Sequence, residues 1–502
     1  MIFPRTIPGV PGNVPFLVVL VLTVAAGAAA TARAADLFLS DEPEIYVAID
    51  KLNAAGHLPG FLANTRPYSM QAVRAAADAA SLTSHPEGLD GELLRWLASY
   101  SAPKTMGRVT AAAAYSDARL EPSNNEGIPR PGGWSAQGSI AARGEKTPYL
   151  SAQLRAASFR GEGDDDGNRL LDASIEAGYR YASVQAGRIS TWYGPGRNGA
   201  LILTNNAAPY PGVRVHNPEP IPMTGWFSFL GNAQYDLFLA RLDKDRPIPH
   251  SLLFGMRLAS RPGRCLELGV SRVLHYGGEG EGNGLADWWN AFKGTSDNDP
   301  GSKGNQIAGF DVELTVPLSV QPFQFYLDAA GEDEAGSIPA PSKWAFLWGV
   351  YLPSLLGSSN WDLRVEYADT YGGKAKEASW YDHPYNPHRY RGQVLGHPMG
   401  GGSRDWFVGS RYYILPSTFA EISYENILHD RGVQSSIGSP GERRTRYSAG
   451  LTGWLTPSWR AEARAATDSV TGQGGIPGSE GTDFSAFLAI SYQATSLSDQ
   501  AE

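Results

Sequence analysis

From about Arg108 onward, apolar and polar residues alternate along the chain with a period of two. Within residues 306–318, Ala308, Phe310, Val312, Leu314, Val316 and Leu318 share one face, and Gly309, Asp311, Glu313 and Thr315 share the other. The pattern recurs downstream. Asp362, Arg364 and Glu366 oppose Trp361, Leu363, Val365 and Tyr367, and Gln324, Tyr326 and Asp328 oppose Phe323, Phe325 and Leu327. Arg460, Glu462 and Arg464 alternate with Trp459, Ala461 and Ala463, and Phe484, Ala486, Leu488, Ile490 and Tyr492 make a last apolar stripe. About sixteen to eighteen such segments of about ten residues are present, the length of a tilted strand crossing a bilayer.

Alternation alone does not say which face is inside. A soluble sandwich packs the apolar face inward, whereas a membrane barrel turns it toward lipid and lines its lumen with the polar face. Three features favour the barrel. The strands share one length, and the aromatics Tyr179, Tyr181, Trp361, Trp406 and Trp459 recur near strand ends as interfacial girdles do. The polar faces carry charges of both signs, with Glu176, Arg180, Glu267, Asp311, Glu313, Arg364, Glu366, Arg411 and Arg464. The first eight of these are expected to form a lumenal polar network. Closure is required because an open sheet edge in lipid strands backbone polar groups at several kcal/mol each.

Ahead of the strands the period is helical. Ser40 or Asp41 can cap a helix with Pro43 in its first turn, Ser69 can cap a second (MQAVRAAADAA), and a third lies within 86–100 with Leu93, Leu94 and Leu97 on one side. The stripes are short and Ala-rich, so a small cap docked on a larger body is expected. Residues 16–30 (FLVVLVLTVAAGAAA) follow Arg5 and precede Ala32-Arg33-Ala34, the layout of an export signal cleaved before Ala35. The expected division is a signal peptide at 1–34, a helical bundle at 35–104, and a barrel at 105–502.

Composition narrows the function. Among 502 residues, 42 Lys and Arg face 51 Asp and Glu, a net charge of −9, which disfavours nucleic-acid binding. The aromatic share of 11% argues against disorder. Cys265 is the single cysteine, which excludes an intrachain disulfide and any multi-Cys zinc site; it is expected to be a small packed or lumen residue. The chain lacks GxSxG, HExxH and Walker A motifs, and Gly277-Gly278-Glu279-Gly280 lacks the Lys-Ser/Thr of a phosphate loop. His383, His388 and His397 match no zinc spacing, so neither metal nor cofactor is expected. Glu332 and Asp333 point to opposite faces of a strand and cannot flank one glycosidic bond, although a cross-lumen pair such as Glu267 and Glu366 stays open.

Three stretches without strand alternation, 192–226, 277–305 and 371–404, are too aromatic to be disordered and are expected to fold over one mouth or into the lumen. Sugars offer C–H faces to aromatic rings and hydroxyls to planar polar groups. Trp192, Tyr193, Arg197, Asn205, Asn206, Tyr210, Arg214, Tyr385, His388, Tyr390 and Arg391 are therefore the candidate carbohydrate-binding residues. Their arginines also suit carboxylates of an acidic glycan.

At these loops the chain resembles the Wzi family of capsule-assembly outer-membrane proteins. The resemblance rests on WYGPGRNGALILTNNAAPYPG (192–212), CLELGVSRV (265–273), NQIAGFDVEL (305–314), YLDAAGED (326–333), VEYADTY (365–371) and YNPHRYRGQVLGHPMGGGSRDW (385–406), in that order. It implies an all-β transmembrane barrel of eighteen antiparallel strands in the bacterial outer membrane, a small helical bundle on its periplasmic side, and a lectin-like, non-enzymatic role in attaching capsular polysaccharide. The expected partners are capsular or extracellular polysaccharide, outer-membrane lipid and lipopolysaccharide, and the barrel-assembly machinery, whose aromatic signal would be displaced to Phe484–Tyr492. A monomer is expected. Two alternatives stay open: an open porin, and a secreted carbohydrate-active enzyme on a soluble β fold.

Overall fold

The computed structural model describes residues 38–39, 42–83, 86–102, 104–147, 149–162, 166–293, 303–335, 338–371, 380–429 and 438–497. The expected signal peptide and the Ser40 and Asp41 caps lie outside them. Eighteen strands close into one antiparallel barrel. They are β1 (Lys104–Ser116), β2 (Gly133–Thr147), β3 (Leu150–Gly161), β4 (Gly167–Tyr179), β5 (Ala182–Ile189), β6 (Tyr210–His216), β7 (Asn232–Arg241), β8 (Leu252–Arg261), β9 (Leu266–Tyr276), β10 (Asn305–Val316), β11 (Phe323–Ala335), β12 (Ile338–Leu352), β13 (Trp361–Asp369), β14 (Ser403–Leu415), β15 (Thr418–His429), β16 (Arg443–Trp454), β17 (Trp459–Thr471) and β18 (Glu480–Leu497). Ile221–Pro222 adds a two-residue pairing to β7. Each long strand pairs with its neighbour in sequence, and β18 returns to β1 from Leu497↔Lys104 to Ser485↔Ser116, so no long edge is left open.

The alternation resolves as lumen and lipid faces. On β10, Asp311 and Glu313 are buried inside while Phe310 and Leu314 are exposed outside; on β13, Asp362, Arg364 and Glu366 are buried opposite the exposed Trp361. Ile140, Ile175, Val270, Phe325, Ile422, Leu451 and Leu488 continue the outer apolar surface around the wall. Aromatic clusters mark both of its margins. Trp361 packs on Tyr412 and Trp459 on Tyr492 toward one end, and Trp348, Tyr367 and Trp406 meet toward the other. This outward apolar band is the reverse of a soluble protein and is the geometry of a barrel bathed in lipid.

Among the described residues, three helices precede β1: α1 (Pro43–Ala54), α2 (Met70–Thr83) and α3 (Gly88–Tyr100). Ile45, Ile49, Leu52, Val73, Leu93, Leu94 and Leu97 form their shared core. Ser69 accepts from the amide of Ala72 and so caps α2 at 2.9 Å. The capping position of α1 belongs to Glu42, which makes no side-chain cap. Its carboxylate instead takes Tyr100 Oη and Arg143 Nη1, both at 3.0 Å, with Arg108 Nη1 at 3.5 Å. Glu44 pairs with Arg460 of β17. The bundle is therefore tied by buried ion pairs to the barrel end where β1 begins.

The sequence reading needs three corrections. Residues 210–216 are strand β6, so 192–226 is not one continuous loop; the Pro and Gly at 211 and 212 hide a strand whose partners supply the pairing. Cys265 is exposed in the turn before β9, not packed or lumenal. Within 277–305, Leu285–Lys293 forms a helix, α4, with Trp288 packed edge-on against Phe254 of β8.

Candidate functional site

The lumen is occupied from both ends. From the helical end, the chain after α1 climbs inside. Ala63 and Asn64 donate their amides to Glu267 at 3.0 and 3.1 Å, and Thr65–Arg66 pairs with Trp192–Tyr193. From the opposite mouth, residues 190–209 fold inward. The amides of Arg197 and Asn198 donate to the two oxygens of Glu366 at 2.8 and 2.9 Å, and Leu201 N donates to Asp328 at 3.1 Å. The two intrusions meet where Arg197 Nε donates to Asp50 of α1 at 2.7 Å. Burial raises the Asp50 carboxyl, but Arg197, Arg66 and Arg364 outweigh it and hold the group at about 2.

Residues 380–402 close over this plug. Tyr381 Oη donates to Leu201 O at 2.6 Å, Thr204 N to Leu395 O at 2.7 Å, and Asn206 Nδ2 to Val394 O at 3.0 Å. His388 Nε2 lies 2.7 Å from Ile202 O, and its Nδ1 lies 2.9 Å from His275 Nε2. Its tautomer follows: Nε2 donates to the carbonyl and Nδ1 accepts. Burial lowers His388 to about 4 and His397 to about 3, so both imidazoles are neutral near pH 7. Gly199 is needed here, because a Cβ would lie 2.3 Å from the His397 ring.

Most of the candidate sugar-binding side chains are buried in the plug or in the wall it packs against. Trp192, Tyr193, Asn206, Tyr210, Arg214, His388 and Tyr390 are buried. Tyr193 Oη and Arg214 Nε both bind Asp236, at 3.0 and 2.7 Å, and Tyr210 meets Tyr390 edge-on. Arg197 is committed to Asp50. Asn205 is half-buried, and its carbonyl accepts from Glu126 N at 2.8 Å. Tyr385, 42% exposed, and Arg391 face outward at the mouth opposite the helices. Composition could not separate these two from the rest, since a polar group that satisfies a buried loop looks like one that awaits a ligand.

The lumenal network is built as strand pairs and plug contacts. Asp311 takes Arg257, Glu313 takes Asn53 Nδ2 at 3.0 Å, and Glu176 takes Ser183 and His216. Arg364 donates to Tyr326 Oη at 3.0 Å, and Arg411 lies 3.4 Å from Glu421. Arg180 departs from the expectation. It sits in the tight turn between β4 and β5, with its side chain about half exposed, and pairs with Glu219 outside the lumenal face. Glu267 and Glu366, the cross-lumen pair considered for glycoside chemistry, both spend both oxygens on plug amides. The reading missed Asp50, Glu42 and Asp236. The signal available for the first two was acidic residues on otherwise apolar helical turns.

Residues 103–474 match the family model described as capsule assembly protein Wzi. The chain belongs to the Wzi family. A protein described as an uncharacterized 55.8 kDa protein in the cps region of Klebsiella pneumoniae is 34% identical over 170 residues, which cover 33% of each chain. The match thus spans about a third of that curated relative. The solved structure of Wzi from Escherichia coli superposes with a TM-score of 0.73 at 20% identity, covering 91% of this chain and 99% of that one. That protein is an outer membrane protein involved in group 1 capsule assembly and a carbohydrate-binding β-barrel. At this identity the likeness establishes the shared fold.

Proposed function

We propose that this Wzi-family chain is a non-catalytic, lectin-like barrel of the bacterial outer membrane that binds capsular or extracellular polysaccharide at the cell surface. The observation that carries this reading is the occupied lumen in a barrel of the capsule-assembly family. A plug hydrogen-bonded to the wall from both ends suits a surface receptor and not an open porin. The helical bundle faces the periplasm, where both ends of a strand-even barrel belong, and the opposite mouth faces outward. Tyr385 and Arg391 are the candidate residues placed to meet glycan there. The wall meets lipid and lipopolysaccharide, and insertion uses the barrel-assembly machinery.

The test is co-sedimentation of purified protein with the surface polysaccharide of the source cell. Retention supports the reading; absence of retention by every surface glycan of that cell overturns it.

A further inference from the structure

The plug does not fill the lumen evenly. Against β6 to β14 the inward side chains are sealed: Arg214, Arg257, Tyr326, Tyr351 and Arg364 are all buried. Around β1, β2 and β15 to β18 solvent reaches the inward face. Gln137, Ser139, Ser448 and Glu462 are only partly buried, and the Arg464 side chain is 43% exposed although it points inward from β17. The helical end of this sector is closed by the Glu42 and Glu44 ion pairs to Arg108, Arg143 and Arg460. The result is a recess open to solvent, with a floor.

Arg130 enters this recess from the mouth-side connection between β1 and β2. Its guanidinium lies 4.5 Å over the ring of Phe487, an inward residue of β18 whose strand partner is Arg464. Arg464 and Arg446 are close enough to repel it, with Glu462 partly opposing. The neighbouring carboxylates are already engaged. Asp468 takes Arg446 at 2.8 and 3.0 Å, and Glu462 is shared by Arg460 and Arg464. Among the described residues, the Arg130 guanidinium has no carboxylate partner, so a half-buried cation lies on an aromatic platform inside a low-dielectric wall. Ala112, Ala114 and Gln137 line a small cavity beside Arg130 and Phe487.

We propose that this recess is a glycan-binding vestibule in which Arg130 receives the carboxylate of an acidic sugar residue. The proposal rests on the polysaccharide-binding reading and names its ligand class and place. It assigns recognition to the inner wall of the open sector, away from the loops that form the plug.

The experiment compares retention of the source cell's purified surface polysaccharide, native and after chemical reduction of its carboxylates, by detergent-solubilised full-length protein. Losing one charge-assisted contact is expected to weaken retention by about tenfold or more. Arg130→Gln and carboxyl reduction should each have that effect, and combining them should add little. Arg130→Lys should keep part of the binding. If wild type retains neither form, the proposed function falls and this inference with it. If wild type binds but Arg130→Gln is unchanged, or the two losses add fully, only the vestibule assignment falls. A second arm does not depend on folding of the Arg130 variants. Ser448→Cys in a Cys265→Ser background, on intact cells, should react with a membrane-impermeant thiol reagent and be slowed by native polysaccharide. No reaction, or no slowing, overturns the assignment.

Discussion

Asp50 and Arg197 are 147 residues apart in sequence and meet at 2.7 Å in the middle of the barrel. One belongs to a helix at the barrel end where β1 begins, the other to a segment that descends from the opposite mouth. Arg66 and Arg364 complete the set, at 3.2 and 3.5 Å. Removing the carboxylate leaves three guanidiniums facing one another, with Glu366 3.9 Å from Arg364 as the remaining counter-charge. Asp50→Ala is expected to destabilise the folded barrel by about 3–5 kcal/mol, as for a buried pair broken on one side. Urea titration followed by heat-modifiable gel mobility measures it; an unchanged midpoint would contradict the pairing.

Acid should act on the plug in two stages. His388 and His397 sit at about 4 and 3 in the fold, below the ordinary 6.5, so the unfolded chain takes up their protons first as pH falls. Their contribution is complete above pH 6.5 and is lost downward through 4 and then 3. Asp50 sits at about 2 against an ordinary 3.8, so its contribution is complete above 3.8 and is lost as pH falls through 2. The unfolding midpoint should begin to drop below pH 6.5 and keep falling through 4, where the Asp50 contribution takes over from that of His388. His388→Asn should flatten the upper part. A wild-type profile level down to pH 4 would refute the histidine assignment.

The floor of the lumen depends on Glu42, which holds Arg108, Arg143 and Tyr100 together. Wild-type protein in planar bilayers is expected to show no steady large conductance. Glu42→Ala removes the carboxylate that Arg108 and Arg143 share and should both lower stability by about 3–5 kcal/mol and raise the frequency of current steps. A large steady pore in the wild type would instead favour the porin alternative.

Mouth and plug residues should separate by phenotype. Tyr385→Ala with Arg391→Ala removes outward-facing groups and should weaken glycan retention while leaving the unfolding midpoint within about 0.5 kcal/mol. Tyr193→Phe removes a buried donor to Asp236 and should cost about 1–3 kcal/mol of stability while leaving retention intact. The reverse pattern would return the binding role to the plug.

The wall was readable because strand alternation writes lumen and lipid directly into the sequence, as Phe310, Asp311, Val312 and Glu313 show in four consecutive positions. Helices were readable from Ser69 and from the leucines at 93, 94 and 97, but not where they dock. The sequence reading treated the bundle as an external cap, and the segment that follows α1 runs inside. That placement is set by contacts such as Asn64 with Glu267, which lie 203 residues apart and leave no local trace. The same limit applies to Arg130. Its neighbours at 487, 464 and 446 come together only when the sheet closes.

The junction of β18 with β1 has a consequence for biogenesis. The segment that fills the lumen is made before the first strand, and the strand that seals the cylinder is made last. Residues 60–66 are stitched by their backbone to the wall and to the inward loop. Zippering of the two terminal strands therefore completes a cylinder whose inward carboxylates are satisfied only once this inner peg is seated.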